Sequence, residues 1–295
     1  MASHFITGQE ISGAELGALL ERAAELKSGR DGGEGMQALA GRTVALFFEK
    51  PSTRTRVSFQ VGVAELGGHP LPLRGDELQL GRGESIGDTG RVLSRYVHAV
   101  VIRSGSDETV AELAEASAVP VINGLTPGHH PCQALADLLT LRERFGGLEG
   151  LKVAFVGDGN NVARSLSILG GAAGVEVRVA SPKGYELERG VAAMNANDPR
   201  EAVDGADAIY ADVWVSMGDE EEAAQRLSDL APYQVNAELL DAAADRAVVL
   251  HCLPAHPGEE ITADVLYGEQ SAVWDQAENR LHAQKALLEK LVGLR

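Results

Sequence analysis

Three hydroxyl and two guanidinium side chains alternate in Ser52-Thr53-Arg54-Thr55-Arg56. Ahead of them, Thr43 to Phe48 is an apolar run rich in β-branched and aromatic residues, which reads as a buried strand. Behind them, Val57 to Leu66 carries apolar residues at helical spacing, with Pro51 fixing the chain direction at the turn. A strand that turns straight into a helix leaves the first helical N–H groups unpaired at the positive end of the helix dipole. Arginines and short hydroxyls added to such a turn make a site for a phosphate-like anion. A capped helix start with solvated arginines would use the same residue types, but it gives no reason for their alternation directly after a buried strand.

Other residues with chemical potential stand at similar places. His129-His130-Pro131-Cys132-Gln133 opens a helix. A histidine there can donate to a polarised carbonyl oxygen, and Gln133 offers an amide both an acceptor and donors. A metal is disfavoured, because adjacent histidines in an extended turn point apart and no partner has ligand spacing. Gly157-Asp158-Gly159-Asn160-Asn161 follows a strand and opens a helix. A dinucleotide reading of it lacks the third glycine, where Val162 stands, and a carboxylate after the next strand, which ends Ala180-Ser181-Pro182. Asn160 and Asn161 then serve as caps or face a ligand. Asp212 to Gly218 and His251-Cys252-Leu253-Pro254 each close a strand, and Glu278-Asn279-Arg280 lies on the last helix.

The elements that would position these residues alternate. Ser12-Gly13-Ala14-Glu15 is a capping-box pattern that starts an N-terminal helix ending near Gly29. After the anion turn and its helix, residues 69–85 read as a long polar loop, then come helix 88–95, strand 97–103, helix 107–118, strand 119–123 and helix 131–145. A second series predicts strand 153–156, helix 161–169, strand 176–180, helix 184–195, strand 208–211, helices near 220–229 and 236–244, and strand 247–251. This alternation predicts an α/β protein of two doubly wound parallel-sheet domains, with the active site in the cleft between them where strand ends converge. The expected domains are residues 1–146 and 147–272, with the final helix, residues 273–295, packing back on the first.

A chain of 295 residues with 44% hydrophobic content suits two domains with real cores. A net charge of −17 argues against nucleic acid and anionic membranes as partners, and any anion site must be locally basic against that field. Two cysteines, Cys132 and Cys252, make neither a disulfide framework nor a metal pattern. Without a signal segment or an apolar run of membrane-spanning length, the expectation is a cytoplasmic protein.

Taken together, Ser52-Thr53-Arg54-Thr55-Arg56, His130-Pro131-Cys132-Gln133, Asp212 with Ser216-Met217-Gly218, His251-Cys252-Leu253-Pro254 and Arg280 resemble the carbamoyltransferase family over nearly the whole chain and in the family's order. The Ser-Met-Gly and His-Cys-Leu-Pro segments resemble the ornithine branch, while the aspartate branch lacks both. The resemblance implies transfer of a carbamoyl group from carbamoyl phosphate to the δ-amine of ornithine, in a homotrimer or a multiple of one, with no metal or organic cofactor. Ser52, Thr53, Arg54, Thr55 and Arg103 would hold the phosphate, and Gln79 would reach the phosphate of a neighbouring subunit. His130, Gln133, Arg280 and the Leu253 backbone would bind the carbamoyl group. Asn161, Asp212, Ser216 and Met217 would bind the amino-acid end of ornithine, with Cys252 near the attacking nitrogen. Arg103, His130, Asp212, Cys252 and Arg280 are the expected catalytic residues. Putrescine or an acylated ornithine are the nearest alternative substrates; a nicotinamide-dependent dehydrogenase and a non-catalytic relative are the competing classes.

Overall fold

The computed structural model describes residues 3–33, 35, 37–75, 83–215 and 220–293. The chain forms two compact units, Met1–Leu139 with Glu278–Arg295, and Thr140–Ala277.

In the first unit, α1 (Gly13–Ser28) starts at the expected capping box, where Ser12 accepts from the Glu15 N–H and Glu15 reaches back to the Ser12 N–H. A four-stranded parallel sheet follows, built from β1 (Thr43–Phe48), β2 (His69–Arg74), β3 (Ala99–Arg103) and β4 (Val121–Leu125) in the order β2-β1-β3-β4. β1 is buried along five of its six residues, as an inner strand covered on both faces should be. The connecting helices are α2 (Arg54–Glu65), α3 (Ile86–Leu93), α4 (Asp107–Ala116) and α5 (Pro131–Phe145).

Two features differ from expectation here. α2 begins at Arg54, so Arg54, Thr55 and Arg56 form its first turn rather than preceding it, with Thr53 as the N-cap and Ser52 before it. Residues 69–74 are a strand, not a loop. Pro70 and Pro72 obscure it in the sequence, yet among the described residues β2 is the edge of the sheet, paired with β1, a place where proline is tolerated. Gln79 lies outside the described residues.

The second unit carries a five-stranded parallel sheet of β5 (Lys152–Val156), β6 (Glu176–Ala180), β7 (Met194–Ala196), β8 (Ala208–Ala211) and β9 (Val248–His251), in the order β7-β6-β5-β8-β9. Its helices are α6 (Asn161–Ala172), α7 (Pro199–Val203), α8 (Ala223–Leu230), α9 (Ala237–Leu240) and α10 (Ala263–Leu266). The helix expected over 184–195 is absent; turns occupy that span and end in the short strand β7. The reason lies at Gly159, whose N–H donates to the Tyr185 carbonyl at 2.8 Å. The backbone of 185–187 is laid over that turn so closely that a Cβ on Gly159 would sit 2.4 Å from the Leu187 nitrogen.

The long terminal helix α11 (Val273–Val292) divides its residues between the units at Glu278. Within the first unit it is tied to α1 by Arg22–Glu289 and Lys290–Glu15, and to α2 by the buried Lys285, which donates to Glu65 at 2.9 Å. Among the described residues, no helix is long and apolar enough to cross a membrane.

Candidate functional site

Each sheet reverses its strand order once, and ligands of open parallel sheets bind beyond the strand ends at that point. In the first unit the reversal falls between β1 and β3, where Phe48 pairs with Arg103. The turn after Phe48 carries Ser52 to Thr55, and Arg103 closes β3. Sequence order thus delivers both to one place. Arg103 Nη1 donates to Ser52 Oγ at 3.2 Å, and the Glu49 N–H donates to the Arg103 carbonyl at 3.0 Å. Thr53 is the N-cap residue of α2 but makes no side-chain capping bond, so capping is not what its hydroxyl is for. Ser52 is half-buried, and Thr53 and Arg54 are exposed.

Behind this open turn lies a buried layer. Thr55 is 2% exposed, Arg280 3% and His130 5%. Arg280, brought in by α11, donates through Nη1 to Gln133 Oε1 at 2.6 Å and through Nη2 to Thr55 Oγ1 at 3.0 Å. Gln133 in turn donates to Asp137 Oδ1 at 2.8 Å, which fixes its amide so that oxygen faces the guanidinium. The turn that presents His130 is anchored by Asp107, which accepts from Thr126 Oγ1 and from the Gly128 N–H. Gly128 fits closely there: a Cβ would come within 2.8 Å of the Asp107 carboxylate, which would have to shift.

Burial, then the charges of Arg280, Arg103 and Arg54, hold the His130 pKa well below the ordinary histidine value. The ring is therefore neutral at physiological pH and carries one N–H. Burial pushes the Cys132 thiol up to about 12, so that residue is an inert packing group. The arrangement offers an exposed cationic turn suited to a phosphate, backed by buried donors from Thr55, Arg280 and His130 at a distance from bulk water where they act strongly.

In the second unit the reversal falls between β5 and β8, and Val156 pairs with Ala211. The next residues on each strand, Gly157 to Asn161 and Asp212, stand across it. Asn160 joins them: its Nδ2 donates to Asp212 Oδ2 at 2.7 Å, while its Oδ1 accepts the Val162 and Ala163 N–H groups as the cap of α6. Asn161 is half-buried at the first position of that helix. The glycines of this turn answer to local packing. Gly157 has φ +129, and Gly159 is covered by the chain's own 185–187 backbone. The dinucleotide reading of these glycines is thereby explained away.

Cys252 follows β9, and its thiol donates to Asp212 Oδ1 at 2.8 Å. Leu253 adopts φ +58, the left-handed region that a leucine rarely occupies, and its N–H is held by His251 Nδ1 at 2.9 Å. That bond leaves the His251 proton on Nε2, which donates to the buried Glu260 at 3.1 Å. Burial pushes Glu260 upward, but hydrogen bonds from His251 and the His256 N–H more than offset it and keep the carboxylate below its usual range. The His251 N–H donates to Gln276, which donates to the Tyr210 hydroxyl. Leu253 and Pro254 are joined by a cis peptide bond. Asp212, His251 and Cys252 offer ligand atoms within 4.8 Å of one another, as do His256, Glu259 and Glu260. In the first group, Cys252 already bonds Asp212, and both His251 nitrogens have protein partners.

The structure brings Ser52, Thr55, Arg103, Gln133 and Arg280 into two linked groups within the first unit, with His130 under the charge of Arg54, Arg103 and Arg280. In the second unit it brings together Asp212 and Cys252, with Leu253 next in the chain. Ser216 and Met217, like Gln79, lie outside the described residues. The sequence did not point to Asp107, Glu260 or Gln276, which act on the site from other elements, or to Asp137, which holds Gln133 from one turn along α5.

Comparison with known proteins gives a consistent answer. Residues 3–143 match the carbamoyl-P binding domain of aspartate/ornithine carbamoyltransferase, and residues 149–291 match its Asp/Orn binding domain. The curated ornithine carbamoyltransferase of Acidothermus cellulolyticus is 53% identical over 306 residues, covering 99% of this chain and 97% of that protein. The solved ornithine carbamoyltransferase from Pyrococcus furiosus is 48% identical, with a TM-score of 0.94 over 99% of this chain and 97% of that one. The Thermus thermophilus enzyme is 45% identical, with a TM-score of 0.91 over 99% of each chain.

Proposed function

The chain belongs to the aspartate/ornithine carbamoyltransferase family and is a carbamoyltransferase of the ornithine type; on that premise we propose how its residues divide the work of moving a carbamoyl group from carbamoyl phosphate to the δ-amine of L-ornithine. Ser52, Thr53, Arg54 and Arg103 receive the phosphate, whose roughly two negative charges suit a helix N-terminus flanked by guanidiniums. Thr55, His130, Gln133 and Arg280 bind the carbamoyl group. Asn161, Asp212, Ser216 and Met217 take the amino-acid end of ornithine, Cys252 lies near the reacting amine, and the Leu253 backbone joins the groups that bind the carbamoyl. Gln79 contacts the phosphate held by a neighbouring subunit.

The neutral amine attacks the carbamoyl carbon, and the carbonyl electron pair moves onto oxygen. Buried donors from Thr55, Arg280 and neutral His130 stabilise that oxygen. Collapse of the tetrahedral intermediate breaks the C–O bond to phosphate, which leaves with the electron pair into the cationic turn and takes up the proton released by the amine, giving L-citrulline and hydrogen phosphate. A strong general acid is unnecessary, since phosphate is already a good leaving group. Ornithine's amine, with an unperturbed pKa near ~10.4, must be bound uncharged or desolvated.

The observation that carries this reading is Arg280. It is a buried cation whose Nη1 and Nη2 are already aimed by Gln133 and Thr55 beside the phosphate turn. We further assign the protein to arginine synthesis, to the cytoplasm and to a homotrimer or a multiple of one. Arg54→Ala tests the division of roles. Turnover should fall about a hundredfold or more, as for loss of a transition-state donor, with the KM for ornithine little changed. Equal losses in turnover and in ornithine affinity would contradict it.

A further inference from the structure

Arg280 is set by more than Thr55 and Gln133. One turn further along α11 stands Gln284, whose side chain is 0% exposed and lies against the same guanidinium. Its neighbours dictate which way the amide faces. The nitrogen donates to Ser58 Oγ at 2.6 Å, and the oxygen accepts from Arg280 Nε at 3.2 Å and Nη2 at 3.0 Å. Ser58 completes the link, since its hydroxyl donates to the Arg54 carbonyl at 2.7 Å, in the first turn of α2.

We propose that Gln284 is a positioning residue for carbamoyl transfer, a buried amide that locks the Arg280 guanidinium plane to the first turn of α2 through Ser58. The inference deepens the proposed function and rests on the role given there to Arg280. A guanidinium on a long side chain has several rotamers, and a buried donor displaced by an ångström loses much of its effect on the reacting atoms. Gln133 holds Nη1, and Thr55 holds Nη2 through a single hydroxyl. Gln284 adds the bond to Nε, which fixes the guanidinium plane rather than one corner of it. Ser58 in turn makes that plane move with the backbone of Arg54, so phosphate-binding and carbamoyl-binding groups keep one geometry.

The test uses the full-length enzyme with four variants and saturating carbamoyl phosphate and ornithine. Gln284→Met keeps the shape and removes both polar atoms; its kcat should fall about tenfold to a hundredfold per folded enzyme, with the KM for ornithine within about twofold. Gln284→Glu keeps an acceptor for Arg280 and should recover most of that loss. A purely structural role would lower the melting temperature of both variants and leave kcat per folded enzyme intact, which overturns the proposal. Should Gln284→Met fail to fold, Ser58→Ala reads the same link from the other side, with an expected kcat loss of about threefold to tenfold; an unchanged kcat there overturns it equally. Arg280→Lys separates the two levels. If its kcat is unaffected, the reading of Arg280 falls and this inference with it. If it loses a hundredfold while Gln284→Met and Ser58→Ala lose nothing, the reading stands and the inference alone fails.

Discussion

His130 packs at the start of α5 under the positive charge of Arg280, Arg103 and Arg54, and burial together with those charges keeps its ring unprotonated. A ring that binds its proton more weakly in the folded chain than in the unfolded one stabilises the fold fully above the ordinary histidine pKa of ~6.5, and that contribution is lost as pH falls from there towards the folded value. His282 and His4, also lowered chiefly by burial, add to the same trend. The melting temperature should therefore drop between about pH 7 and pH 5, and His130→Gln should drop distinctly less over that window. Parallel slopes for the two proteins would contradict the neutral, buried state on which the donor role depends. Motif residues such as Arg54, His130 and Asp212 were legible in the sequence because their types are unusual at strand ends. Their supports were not. Asp107, Asp137, Gln276 and Gln284 act through partners on elements that only the fold brings near, or through side-chain directions that spacing alone leaves open.

At the scale of elements, the sequence was most readable where hydrophobic period and end signals agreed. α1 has its capping box, β1 its unbroken apolar run, and α5 its N-terminal proline. It failed where tertiary contact overrode the local pattern. β2 hides two prolines by lying at a sheet edge, and the span 184–195 is held out of a helix by its packing on the turn at Gly159. That turn also explains why glycine stands there without any nucleotide. Gly159→Ala tests the explanation: a Cβ 2.4 Å from the Leu187 nitrogen forces backbone to move, which should destabilise the fold by about 1–3 kcal/mol in urea titration. Because Asn160 and Asn161 follow at once, the KM for ornithine should rise as well. A variant as stable as the parent would mean that the segment can move away freely, and the packing account would be wrong.

Across the whole molecule, a chain of net charge −17 gathers Arg54, Arg103 and Arg280 into one small region. Until an anion neutralises them, those guanidiniums repel a cationic amino acid, whereas bound carbamoyl phosphate cancels most of that charge and removes most of the repulsion. Ornithine, a cation in solution, should therefore bind at least about tenfold tighter in calorimetry when inorganic phosphate fills the anion turn, a pair that cannot react. Equal affinity with and without it would rule out ordered addition. The parallel α/β architecture was legible from alternation alone, while the ornithine branch rested on Ser216-Met217-Gly218 and His251 to Pro254, short segments whose type no periodicity predicts. The most direct test of the account is product formation by the purified protein from carbamoyl phosphate with ornithine, putrescine, lysine, aspartate or acetylornithine as acceptor. The account predicts citrulline from ornithine with a kcat/KM at least about a hundredfold above any other acceptor, as expected when a site's polar groups are matched to one substrate. A higher kcat/KM for putrescine or acetylornithine, or no citrulline at all, would contradict it.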